Sequence, residues 1–368
     1  MMVSTKVFLL ACFAFLSFAG FAWNLAMWSL LTGLAVLIIA VLYLHRCAWP
    51  ERLPPRGKSV FITGCDSGFG NATAKHLDAL GIQVFAGCLF PGGEGASRLR
   101  AECSDKLCVI PLDVTEQEDV DAAIATITKS TGDEGLWGVV NNAGICLWSR
   151  LEVTPMETIQ QHLDVNLLGQ IRIVKATLPL LRKSRGRVIS INSTNSYFYM
   201  TLFGAYGISK AAAEMFSNVL RLESRKWGIQ VITIHPGGFR TGLVTNLNSM
   251  RQYLQKCNDQ LSADLKQYYT PEYFQAMLDN NGASTLPTDL SPVCRTVTTA
   301  LLERAPSTCY RCGPFAGVMV RSAQFLPTPL FEFFVRNSKL FNKELKVLIR
   351  IRSKMTVNSR SLAFLRYR

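Results

Sequence analysis

Residues 63–70 read Thr63-Gly64-Cys65-Asp66-Ser67-Gly68-Phe69-Gly70. The stretch follows a short β-rich run, Ser59–Thr63, and opens a helical pattern, Asn71–Leu80, that Gly81 ends. Three glycines let a backbone approach a pyrophosphate closely, and the start of the next helix offers unpaired N–H groups to the phosphates. The spacing is GxxxGxG, not GxGxxG, and alone it would also suit an ordinary tight turn. Its place between a strand and a helix gives it meaning. Further along, Ile82–Cys88, Val109–Leu112, Gly138–Val140, Arg187–Ile191 and Val231–His235 read as strands, and Val120–Thr131, Val165–Leu181 and Ala205–Trp227 as helices. Apolar strands alternating with helical crossovers predict an α/β chain built on a doubly wound parallel sheet.

Three more groups of residues fall where that sheet would place them at one edge. Asn141-Asn142-Ala143-Gly144 follows the fourth strand, and Ser193 follows the fifth. Tyr206 and Lys210, four apart, share one face of the helix after it. Taken singly, each has a bland reading: Ser193 as a cap, Tyr206 as core, Lys210 as a solvated lysine.

Taken together, they resemble the short-chain dehydrogenase/reductase family over roughly residues 58–321. The matching pieces are TGxxxGxG at Thr63–Gly70, Asp113-Val114, NNAG at Asn141–Gly144, Asn166, Ser193, YxxxK at Tyr206–Lys210, and Pro236-Gly237 with Thr241. The stretches GCDSGFG (64–70), LWGVVNNAG (136–144) and AYGISKAA (205–212) look most like the membrane-anchored hydroxysteroid and retinol dehydrogenase branch. The long apolar N-terminus is most similar to that of its type 2 hydroxysteroid enzymes.

The resemblance implies a Rossmann-like catalytic domain over residues 57–321 and a nicotinamide cofactor. Gly64, Ser67, Gly68, Phe69, Gly70, Asp113, Val114, Asn141, Ala143, Gly144, Tyr206, Lys210, Pro236, Gly237 and Thr241 would hold that cofactor. It further implies that Tyr206 is the general acid/base, that Ser193 and Tyr206 bind the substrate oxygen, and that Asn166 holds a water in a proton relay. A free tyrosine titrates near ~10, and Lys210 one turn away is expected to favour the phenolate. NAD is expected ahead of NADP. The second strand ends Ala86-Gly87-Cys88-Leu89 with no acidic residue for the ribose, but no Lys or Arg lies between Lys75 and Arg98, and Asp66 would repel a 2′-phosphate.

Composition sets the surroundings. Of 368 residues 49% are hydrophobic and 18% charged, which excludes disorder as the overall state. The net charge is +13, yet residues 334–368 carry ten cations against one acid. The remainder is close to neutral, and no nucleic-acid-binding module is present. From Val7 to Leu44 no residue is charged, longer than the ~20 residues that span a bilayer. Gly20, Trp23 and Asn24 divide this run into segments at about 7–21 and 25–44, giving one or two spans within an anchor and flank over residues 1–50. Lys6 before it, and His45, Arg46, Arg52, Arg56 and Lys58 after it, place the following domain in the cytosol. Endoplasmic reticulum membrane is the expected location. Residues 322–368 read as an apolar, then basic, tail suited to anionic lipid.

The eleven cysteines are scattered and read as reduced thiols. Cys309 and Cys312 form one CxxC, but no histidine lies beyond His235, so no metal is expected. Residues 238–292 are expected to form the substrate lobe, with Leu243, Leu247, Met250, Tyr253, Leu254, Tyr268, Tyr269, Tyr273, Phe274 and Met277 offering an apolar lining for a steroid or retinoid alcohol. Arg240 and Arg251 keep open a carboxylate-bearing substrate, as in 3-hydroxybutyrate oxidation. A non-catalytic cofactor-binding membrane scaffold is the third reading. In the resembled family the helices carrying Asn166 and Tyr206 commonly form a dimer interface, so a homodimer is expected.

Overall fold

The computed structural model describes residues 51–279 and 285–337 and, within 13–41, residues 13, 16–18, 20, 21, 23–25, 27–39 and 41. The Lys6, His45 and Arg46 flank charges, Cys12, Cys47 and the basic stretch 338–368 lie outside the described residues.

Seven parallel strands form one sheet in the order β3-β2-β1-β4-β5-β6-β7. They are β1 (Ser59–Ile62), β2 (Gln83–Cys88), β3 (Leu107–Pro111), β4 (Gly138–Asn141), β5 (Arg187–Ile191), β6 (Gln230–Pro236) and β7 (Cys309–Cys312). The principal helices between and after them are α1 (Gly68–Ala79), α2 (Glu94–Glu102), α3 (Gln117–Thr131), α4 (Met156–Leu163), α5 (Gly169–Ser184), α6 (Gly204–Ser224), α7 (Leu247–Asp259), α8 (Pro271–Asp279), α9 (Ser291–Leu302), α10 (Ala316–Phe325) and α11 (Thr328–Arg336).

Strand alternation divides the core in two. Val60, Ile62, Ile189, Ile232 and Ile234 face one layer with Leu77, Leu99, Val297 and Leu301. Phe61, Phe85, Val139, Val188 and Val231 face the other with Ile127, Ile173, Leu181 and Leu220. Both faces of each central strand are covered, which is why these runs are apolar throughout.

One expectation within the sheet domain changes. The stretch expected as one helix over Val165–Leu181 is α4, a π turn at Asp164–Leu168 and α5. The Cys309–Cys312 motif is the edge strand β7. Residues three apart on a strand face opposite sides, so the two thiols cannot chelate together. Cys312 enters the core and all nine described cysteines are free. The boundary expected at residue 321 falls inside α10, whose Ala316 and Val320 are buried.

Residues 1–53 with Glu303–Ala305 form a separate compact unit. Its helix Leu16–Ile39 has 24 residues, about 36 Å at 1.5 Å per residue, enough to cross a bilayer core of ~30 Å. It runs through Gly20, Trp23 and Asn24, where a break was expected.

Candidate active site

The glycine turn works because its glycines do different jobs. Gly64 and Gly68 have φ of +70° and +60°, conformations that L side chains resist. A Cβ on Gly70 would lie 2.2 Å from the Gly64 carbonyl oxygen and 2.5 Å from Asn142 Nδ2, so only hydrogen lets α1 close onto the turn. Ser67, the residue before α1, makes no side-chain cap, which leaves the first N–H groups of that helix to a ligand. Phe69 packs edge-on against Phe239 at 5.4 Å, bringing the loop after β6 over the turn.

The NNAG segment braces this turn from β4. Asn142 Nδ2 donates to the carbonyls of Thr63 (2.8 Å) and Gly64 (3.0 Å), and Thr63 Oγ1 accepts the N–H groups of Asn142 and Ala143. Asn142, to which the family resemblance gives no cofactor role beside Asn141, Ala143 and Gly144, carries the brace. Asn141 is buried at the end of β4, faces a small internal hollow with Gln170, and its amide finds no protein partner.

A cavity of about 600 Å³ runs from this turn to the catalytic candidates. Gly64, Ser67, Gly68, Phe69, Asp113, Val114, Ala143, Gly144, Tyr206, Lys210 and Thr241 line it, whereas Gly70, Asn141, Pro236 and Gly237 lie outside that lining. Asn192 also lines it, and its buried Oδ1 has no protein partner. A helix start, a glycine cradle and an orphaned acceptor in one elongated cavity fit a dinucleotide.

At the far end, Tyr206, Lys210 and Ser193 come together, all buried. Ser193 stands next to Tyr206 and favours its phenolate, and its Oγ accepts the N–H of Asn195 at 3.1 Å. Lys210 Nζ donates to the Ile191 carbonyl at 2.9 Å and stands 5.9 Å from the centre of the Tyr206 ring. Burial pushes the Tyr206 phenol well above its ordinary value and the Cys146 thiol adds to this, while Ser193 pulls the other way. Burial also brings Lys210 down to about 8. The expected lowering of the phenol by Lys210 is therefore not the dominant effect among this chain's own groups; desolvation is.

Asn166 occupies the π turn and is wholly buried. Its Oδ1 accepts the Ile145 N–H at 2.8 Å, and its Nδ2 donates to the Ile145 carbonyl (3.0 Å) and to Ser209 Oγ (2.9 Å). Those bonds tie α6 to the NNAG segment through the Asn166 side chain.

Most of the residues expected to line a substrate pocket form the lobe's own core. Met250, Tyr253, Leu254, Tyr269, Tyr273, Phe274 and Met277 pack in one buried cluster with Tyr206, Cys146 and Trp148. Leu243 lines the cavity, whereas Leu247 and Tyr268 are exposed. Arg240 and Arg251 are exposed and lie outside the cavity lining.

Comparison with known proteins agrees with this geometry. A family model described as short chain dehydrogenase matches residues 58–252. The chain belongs to the short-chain dehydrogenase family. Estradiol 17-beta-dehydrogenase 2 of Mus musculus is 37% identical to it over 313 residues, covering 84% of this chain and 82% of that protein. Retinol dehydrogenase 7 of Mus musculus is 40% identical over 277 residues (75% and 86%), and 11-beta-hydroxysteroid dehydrogenase type 2 of Oryctolagus cuniculus 37% identical over 296 (79% and 73%). A crystal structure of a short-chain dehydrogenase from Streptomyces avermitilis shares the fold, with a TM-score of 0.56 at 21% identity over 82% of this chain and 99% of that one. This short-chain dehydrogenase is thus an NAD(P)-dependent alcohol oxidoreductase, and its relatives are hydroxysteroid and retinol dehydrogenases.

Proposed function

We propose that the protein oxidises a lipophilic secondary alcohol such as a hydroxysteroid, or retinol, with NAD at the cytosolic face of the endoplasmic reticulum membrane. The observation that carries this reading is that Tyr206 and Lys210 line one end of a cavity whose other end is the glycine turn, with Ser193 next to Tyr206 outside that lining. The substrate class follows that of the relatives named above.

Ser193 and Tyr206 bind and orient the alcohol oxygen. Tyr206, as phenolate, takes the hydroxyl proton and Lys210 stabilises that charge. The bound nicotinamide accepts the hydride. Asn166 acts by holding Ser209 and Ile145, and so the wall beneath Tyr206. NAD is favoured by Asp66, whose carboxylate accepts the N–H groups of Leu89 (2.9 Å) and Phe90 (2.8 Å) and so stands at the end of β2, where a 2′-phosphate would meet it.

The helix Leu16–Ile39 suits a membrane anchor, and the exposed Phe325, Leu330, Phe333 and Phe334 of α10 and α11 suit contact with lipid ahead of the basic tail. A second copy against α6 is supported by the exposed Ile208, Met215, Val219 and Leu222 of that helix.

The test is Tyr206→Phe in the detergent-solubilised full chain, assayed with estradiol and retinol and with NAD and NADP in parallel. Wild type should prefer NAD, and the variant should lose about 10²–10⁴-fold in kcat. Wild-type-like turnover by the variant would overturn the role of Tyr206.

A further inference from the structure

Behind the site, two ionisable side chains are buried against each other. Glu214 lies one turn beyond Lys210 and two beyond Tyr206 on the same stripe of α6. His235 sits near the end of β6, and its Nε2 is 3.2 Å from Glu214 Oε2. Glu214 is 5% exposed and His235 0%. The carboxylate also accepts Asn192 Nδ2 at 2.7 Å and the Tyr197 hydroxyl at 2.9 Å.

The protonation state follows from the partners. His235 Nδ1 lies 3.0 Å from the Ser193 carbonyl oxygen, which can only accept, so Nδ1 carries a proton. Nε2 stands 3.2 Å from both the Glu214 carboxylate and the Thr233 hydroxyl, and that hydroxyl gives its own proton to Glu214, so Nε2 carries one too. The pair is an imidazolium and a carboxylate. Burial opposes both charges, yet for Glu214 the bonds from His235, Asn192 and Tyr197 prevail and hold it at about 2. For His235 the bonds with Cys309 and Glu214 prevail and lift it to about 9.

A buried ion pair costs desolvation and is weak support for stability by itself. The partners of this one surround a single functional residue. Asn192 precedes Ser193, the Ser193 carbonyl is itself held, and Tyr197 closes the 3₁₀ turn Thr194–Ser196 that follows. We propose that Glu214 and His235 are positioning residues of the oxidoreductase, which lock the segment 192–197 from α6 and β6 so that the Ser193 hydroxyl is held against Tyr206. This rests on the roles given above to Ser193 and Tyr206. Because α6 carries both Tyr206 and Glu214, one rigid helix sets both ends of that contact.

The test uses the full chain in detergent, with estradiol and NAD, and three variants. His235→Phe removes the donor to Ser193; it should lower kcat by about 10–100-fold, as displacement of a catalytic group by an ångström does, with the KM for NAD within about twofold of wild type. His235→Asn can place an amide N–H near the position of Nδ1 and should recover kcat to within about fivefold. Amide deuterium exchange over 192–197 should quicken at least about tenfold in His235→Phe, not in His235→Asn, while peptides from 58–88 keep the wild-type rate. If His235→Phe does not fold, Tyr197→Phe removes one tie at the partly buried margin and should quicken the same exchange and lower kcat without changing NADH affinity. Unchanged kcat and exchange in the folded variant, or equal damage from Phe and Asn at 235, would overturn the proposal. If wild type itself turns over no alcohol, the substrate reading fails, and the exchange pattern still decides the positioning role.

Discussion

The carboxylate of Asp66 accepts the main-chain N–H of Phe90 at 2.8 Å, so a residue of the glycine turn supplies negative charge at the end of β2, where that strand's own sequence has none. Replacing Asp66 by Ser should remove the charge and shift the NADP-to-NAD ratio of kcat/KM toward NADP by about tenfold or more, the equivalent of ~1.4 kcal/mol. Parallel assays with both cofactors measure it. A ratio unchanged in the folded variant would assign the preference elsewhere.

The pH dependence of turnover should report the buried Tyr206–Lys210 pair. Burial raises the phenol, so alcohol oxidation, which needs the phenolate, should quicken as pH rises from 7 toward 10. Lys210, brought down to about 8 by burial, loses its charge in the same range, and its support for the phenolate is greatest below that value. Lys210→Met should therefore cost about 100-fold at pH 7 and proportionately less at pH 10. A pH profile of kcat/KM for both proteins checks this; parallel profiles would show that the lysine's charge is immaterial.

The architecture was legible where chemistry is local. The apolar runs at 187–191 and 231–235 and the glycine turn read correctly because buried parallel strands and a φ-positive turn leave their mark in adjacent residues. The π turn did not, since its cause lies outside the helix: Asn166 is pulled to Ile145, 21 positions away, and to Ser209, 43 away. The strand at Cys309–Cys312 was hidden because four residues at a sheet edge carry no periodicity of their own and are strands only through pairing with β6. In the site, Tyr206 and Lys210 could be found from their spacing. Asn142 was overshadowed by its neighbour, and Glu214, which continues the Tyr206–Lys210 stripe by one more turn, was the available signal for the buried pair.

Gly70 should be intolerant of any side chain. Its Cβ would meet backbone, the Gly64 carbonyl oxygen at 2.2 Å, and backbone cannot step aside as a long side chain can. Gly70→Ala should cost about 1–3 kcal/mol or more by overpacking and weaken NADH binding by opening the turn. Gly92→Ala, which meets nothing within 4 Å, should stay within about 0.5 kcal/mol of wild type. Thermal unfolding and NADH fluorescence titration of the pair decide it. Equal melting temperatures would contradict the close approach.

Asn166 should be sensitive to charge more than to size. Asn166→Ala leaves the Ile145 amide groups unpaired, a cost of about 1–3 kcal/mol. Asn166→Asp replaces a donor by a carboxylate oxygen facing the Ile145 carbonyl, 3.0 Å from the present Nδ2, and should unfold at a lower temperature than the alanine variant at pH 8. If both variants melt together, the amide bonds to Ile145 contribute little.

The Glu214–His235 pair should leave a signature in stability against pH. His235 is raised from 6.5 to about 9, so its contribution is complete below 6.5 and is lost as pH rises through about 9. Glu214 is lowered from 4.5 to about 2, so its contribution is complete above 4.5 and is lost only as pH falls through about 2. Facing the pair from neighbouring elements are Tyr197, Cys309 and Arg311, of which the Cys309 thiol is lowered by His235 against the effect of its own burial. Because that thiol also helps to lift His235, it is kept in both proteins compared. The melting-temperature advantage of His235 over His235→Asn should be largest between pH 4.5 and 6.5 and shrink steadily toward pH 10. An advantage that stays flat from pH 6 to 10 would mean the imidazole is neutral throughout, leaving the Nε2 proton, and with it the ion pair, without support.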